Sequence, residues 1–192
     1  CLLSLSCVCL LLWLVVAPLP SLLAALGVDR GTTVTLIAAG SYEGVLDLDA
    51  PGALLLGVAA LLWSAAGAYA ATYQRDLPNR GRFAAAWLLC LTGCLGVFVA
   101  ADMPLLYLML ATMTLGATAL VFQDEGAGAR RAAAIYLGLA LAGETLVLVA
   151  MILLAQATAD GSLLIRDAAA VLPTATHRDL IVALLIIGFG LK

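Results

Sequence analysis

Five long apolar stretches, at residues 2–26, 51–73, 83–101, 104–122 and 132–156, and the start of another at 179–192, constrain this chain more than any other feature. An α-helix rises 1.5 Å per residue, so about 20 apolar residues cross a ~30 Å hydrocarbon core. Each of the five is long enough. Polar punctuation separates them at residues 74–82, 102–104, 123–131 and 157–178. Inside lipid the backbone must satisfy its own hydrogen bonds, and a helix does so within one segment. The chain therefore reads as an all-α membrane protein, a polytopic transmembrane helix bundle forming one domain over residues 1–192. Composition agrees: 65% of residues are apolar and 11% charged, against roughly half and a quarter in soluble domains.

The first stretch raises an alternative, a signal peptide, which its lack of a positively charged start argues against. Pro18 and Pro20 should bend or end a helix there. Cys1 in place of a methionine, and Lys192 inside an apolar run, read as the ends of a piece of a longer protein. The segment 27–50 differs in kind. Thr32 to Ile37 is β-branched, Val45 to Asp49 alternates apolar with acidic, and Gly40-Ser41 lies between, which predicts a short extramembrane β-hairpin.

Arginines set the expected orientation. Arg75, Arg80 and Arg82 share a side with Arg130 and Arg131, because two spans joined by a tight turn at Asp102–Pro104 separate them. Five arginines there against Arg30, Arg166 and Arg178 on the other face make the first side cytoplasmic. No basic run points to nucleic acid. Cys90 and Cys94 share a helix face, yet a single histidine and no recognisable ligand spacing make them small buried apolar residues rather than a metal pair. Nothing in the chain suggests a bound cofactor.

Two ionisable residues fall within the spans, Glu144 and Lys192. Either one in hydrocarbon costs at least ~2.5–3.5 kcal/mol, so each needs a partner, water or neutralisation. Glu144 stands ~20 Å past Arg131 and Lys192 ~20 Å past Asp179 from the opposite side. The depths then differ by about 10 Å, which suits a water-linked pair and leaves a direct bridge unassured. A carboxylate and an amine that exchange protons are what a proton relay needs. Asp102 and Asp179 begin helices, where acids cap free N–H groups; together with His177 they are accessory candidates. Gly93, Gly96, Gly138 and Gly143 read as points of close helix approach. Trp13, Trp63 and Trp87 serve either as interfacial anchors or in packing. Thr112, Thr114 and Thr118 are expected to bond their own helix backbone rather than line a path.

Four ordered stretches resemble the antiporter-like subunits shared by respiratory complex I, the membrane-bound hydrogenases and the Mrp-type antiporters. Val45-Leu46-Asp47-Leu48-Asp49 is similar to the stretch leading into that family's third helix, and Asp102-Met103-Pro104-Leu105-Leu106-Tyr107 to the opening of its fifth. Arg130 to Tyr136 sits as its sixth helix begins, and Gly188-Phe189-Gly190-Leu191-Lys192 resembles the broken seventh helix with its proton-path lysine. The resemblance runs from about Leu46 to Lys192, the first half of the family's core. It makes 2–26 the second helix, running outward as the charge bias requires.

One position departs from the pattern. The family pairs that lysine with a glutamate in its fifth helix, where this chain has Ala111. Gly143-Glu144 in the next span, shared with some divergent members, suggests a relocated carboxylate. The resemblance implies a proton-translocating subunit of a complex I-like or hydrogenase-like oxidoreductase complex, with Glu144 and Lys192 passing protons. It has no active site of its own, and the electron chemistry belongs to other membrane subunits. The expected location is the bacterial cytoplasmic membrane. The rival readings are an Mrp-like antiporter moving Na+ as well as protons, and a subunit that braces a complex and conducts nothing.

Overall fold

A computed structural model describes residues 34–39, 42–48, 50–73, 80–122, 126–158 and 161–192. The span expected at 2–26, with its cysteines, Trp13 and prolines, lies outside the described residues, as do the loops 74–79 and 123–125.

Two strands, β1 (Val34–Ala39) and β2 (Tyr42–Leu46), pair antiparallel from Val34 opposite Leu46 to Ala39 opposite Tyr42, with an irregularity between Thr35 and Ile37. The second strand begins three residues before the expected Val45, and Asp47 and Leu48 lie beyond it. At that point the chain turns to the helices: Asp47 N donates to Val99 O (3.0 Å) and Ala101 N to Val45 O (3.0 Å).

Helices follow as α1 (Ala50–Tyr73), α2 (Arg80–Val99), α3 (Met103–Val121), α4 (Ala127–Ala157), α5 (Ile165–Val171) and α6 (Arg178–Gly190), with a 3-10 turn at Leu172–Thr174 between the last two. The first four are long and apolar enough to cross a membrane. They coincide within a few residues with spans read from the sequence, except that α4 starts five residues early. With 31 residues it is about 46 Å long, well beyond the hydrocarbon thickness. Outward surfaces are apolar. On α1, Leu54, Leu55, Val58, Leu61 and Leu62 are at least half exposed, as are Ile186 and Ile187 on α6. Lipid is the solvent in which such a surface is stable. The protein is a polytopic transmembrane helix bundle.

Small residues decide which helices approach. A Cβ at Gly93 would run into the backbone of Met109 and Met113, and one at Gly116 into that of Cys90, so α2 and α3 pack backbone to backbone. Gly96 abuts the Met109 side chain, whereas Gly138 meets nothing within 4 Å and lies on an open face of α4. Trp63 and Trp87 join α1 to α2 edge to face at 4.8 Å, and Trp63 Nε1 donates to Cys94 Sγ at 3.3 Å. These two tryptophans therefore pack helices. Cys90 and Cys94, though one turn apart, serve different neighbours.

A core of Met103, Leu110, Val147, Ala150, Met151, Leu154, Ala168 and Ile181 joins α3, α4, α5 and α6. At one end of this core the α2–α3 turn is stitched to the 161–165 segment by Met103 N to Leu163 O and Ile165 N to Ala101 O, both 2.9 Å. Asp102 holds this end together. Its Oδ1 caps α3 by accepting from Leu105 N (2.8 Å) and its Oδ2 accepts from Val45 N (2.6 Å). At 2% exposure its carboxylate is buried, and both oxygens accept from backbone donors.

A buried ion pair between three helices

α4 and α6 run antiparallel and meet at two glycines. A Cβ on Gly143 would lie 2.7 Å from Gly188 O, and one on Gly188 would lie 2.7 Å from Val147 Cγ2 and 2.9 Å from Gly143 O. The two backbones touch there because neither residue has a side chain. One residue beyond Gly143, Glu144 turns toward α3 and α6 and is 4% exposed.

Lys192, just past the end of α6, closes on it directly. Its Nζ lies 2.9 Å from Glu144 Oε1 and donates to Leu110 O on α3 at 3.1 Å. The direct contact differs from the offset of about 10 Å expected from sequence, which counts Glu144 from Arg131 along a helix of membrane length. Counted from the end of the bundle that α4 and α6 share, Glu144 is 13 residues before Ala157 and Lys192 is 14 after Arg178. Both then lie about 20 Å along the helices from that end. The extra length of α4 projects on the arginine side.

Thr114 completes the cluster. Its Oγ1 lies 2.5 Å from Glu144 Oε1 and 3.0 Å from its own-helix Leu110 O. Among the described residues, Thr112 and Thr118 bond only their own helix, to Leu108 O and Thr114 O. Thr114 does that and more, which the sequence could not distinguish. Four groups thus form a ring: carboxylate, ammonium, backbone carbonyl and hydroxyl. Glu144 is buried and the Lys192 side chain is 10% exposed, and among the described residues no buried side-chain nitrogen or oxygen lacks a partner. Removing one member of such a pair costs about 3–5 kcal/mol, because the other charge is left unpaired in a dry interior.

Ala111 provides nothing polar, but the same helix does. Leu110 O precedes it by one residue, and Thr114 stands three residues on, on the same face of α3. The remaining candidates sit elsewhere. Asp102 is the clamp already described. His177 occupies the N-cap position of α6 without a side-chain capping bond, and Asp179 is exposed in its first turn. Both are about 20 Å of helix away from Lys192.

No protein-family profile matches the chain, and comparison with curated proteins finds no match. Among solved structures the chain is similar to one in the membrane-bound sulfane sulfur reductase (MBS), an archaeal respiratory membrane complex. The two are 25% identical with a TM-score of 0.65, over 91% of this chain. That likeness covers 28% of the neighbour, so this chain spans under a third of its length. The chain is an integral membrane protein with the fold of part of a respiratory-complex membrane chain.

Proposed function

We propose that this protein is a proton-translocating membrane subunit of a respiratory-type oxidoreductase complex, and that Glu144 and Lys192 lie on its proton path. The observation that carries the reading is the 2.9 Å ion pair buried between helices in the middle of an otherwise apolar bundle. Ionisable residues are costly at that depth and mark ion pathways where they occur. Glu144 takes and releases the proton, and the Lys192 ammonium stabilises the carboxylate left behind. The relocated carboxylate stands on α4 rather than α3, and it reaches the lysine because Gly143 and Gly188 let those helices touch. Similarity to a chain of a respiratory complex supports membrane subunits as partners, with redox chemistry carried by them. The arginine-bearing ends of α2 and α4 face the cytoplasm. Since the structural neighbour is archaeal, the bacterial inner membrane expected from sequence widens to the cytoplasmic membrane of a prokaryote.

The test is Glu144→Gln in the intact complex reconstituted into vesicles. Pumping falls sharply while assembly is unchanged. Full pumping by the assembled variant refutes the relay.

A further inference from the structure

Resting on that relay, we infer that Thr114 is the positioning residue of the pair, its hydroxyl reversing direction as the proton arrives and leaves. The geometry forces a choice. Thr114 Oγ1 has one proton and two oxygen neighbours, Glu144 Oε1 at 2.5 Å and Leu110 O at 3.0 Å. Leu110 O can only accept, and it already takes a hydrogen bond from Lys192 Nζ.

With Glu144 ionised, the hydroxyl donates to the carboxylate. Lys192 then donates to both Glu144 Oε1 and Leu110 O, and every oxygen in the ring is served. With a proton on Glu144 Oε1, the carboxylic acid donates to Thr114 Oγ1, and the hydroxyl turns its own proton to Leu110 O. The proton gained by Glu144 is the only one added, and no heavy atom moves. Lys192 loses its counter-charge but keeps Leu110 O. A backbone amide could only donate and a carbonyl only accept; a hydroxyl does either. Both protonation states are hydrogen-bonded in the same buried volume, where an unmade bond is expensive.

The variants are Thr114→Val, which keeps the shape without the hydroxyl, Thr114→Ala as a second hydroxyl-free side chain, and Thr114→Ser, which restores the hydroxyl. All are measured in the intact complex in vesicles beside Glu144→Gln. A hydrogen bond to a charged group is worth more than one between neutral groups, so losing the hydroxyl penalises ionised Glu144 more. In infrared difference spectra of the complex at work, the carboxylic-acid C=O band of protonated Glu144 should shift in the Val and Ala variants, which offer its O–H no acceptor. Their pumping rate should fall roughly tenfold, the factor that corresponds to losing one hydrogen bond to a charged group, and Ser should recover both. Should Val not assemble, the Ala–Ser comparison decides. Wild-type rate and band position in a hydroxyl-free variant overturn the assignment, as does equal impairment of Ser. If Glu144→Gln itself pumps fully, the relay has failed instead.

Discussion

Gly143 and Gly138 lie five residues apart on α4, and replacing each with alanine separates what the ion pair needs from what a helix merely prefers. Both substitutions gain about the same helix propensity, up to ~1 kcal/mol. At Gly138 the new methyl meets nothing within 4 Å, so that variant should be neutral or slightly stabilised. At Gly143 it would stand 2.7 Å from Gly188 O, where ordinary contact begins at 3.4 Å. The obstacle is backbone and cannot rotate away, so α4 and α6 must part by about 0.7 Å, at an overpacking cost of roughly 1–3 kcal/mol. The same displacement acts on the adjacent Glu144. Stretching its 2.9 Å contact with Lys192 by that amount loses about 1 kcal/mol at an effective dielectric near 20. Gly143→Ala should therefore be about 2–4 kcal/mol less stable than Gly138→Ala. Thermal unfolding of the solubilised protein measures this, and vesicle pumping should drop in Gly143→Ala alone. Equal melting and equal pumping in the two variants would refute both the close crossing and its link to the pair.

Lys192→Met leaves Glu144 without its counter-charge and should destabilise by about 3–5 kcal/mol in denaturation, whereas Glu144→Gln with Lys192→Met together should recover most of that loss without recovering pumping. Recovery of both would reduce the pair to a structural brace. Asp102→Ala removes the acceptor for Leu105 N and Val45 N and should cost about 2–4 kcal/mol, read as a lower melting midpoint; Asp102→Asn should keep part of the cap and lose less.

The membrane spans were legible because a lipid-facing helix is apolar on every side, so length and hydropathy alone delimit it. The hairpin shows in its β-branched run, while its second strand starts earlier than the alternation of residues 45–49 implies, because pairing with β1 extends it back to Tyr42. Glu144 and Lys192 stood out as charges in apolar surroundings. Their meeting did not, since depth was reckoned along a helix whose true length the sequence leaves open. Gly138 and Gly143 look alike in sequence; only Gly188 across the crossing tells them apart. Thr114 was hidden among three threonines, because bonding the preceding turn is the default for each, and only its facing of α4 adds the carboxylate.

At the centre of the account stands a change of protonation at Glu144 during turnover. Infrared difference spectra of the intact complex, resting against turning over, observe it directly. A carboxylic-acid band that changes with turnover and is missing from Glu144→Gln is the expected result. Continued pumping with no carboxyl signal assignable to Glu144 would contradict it.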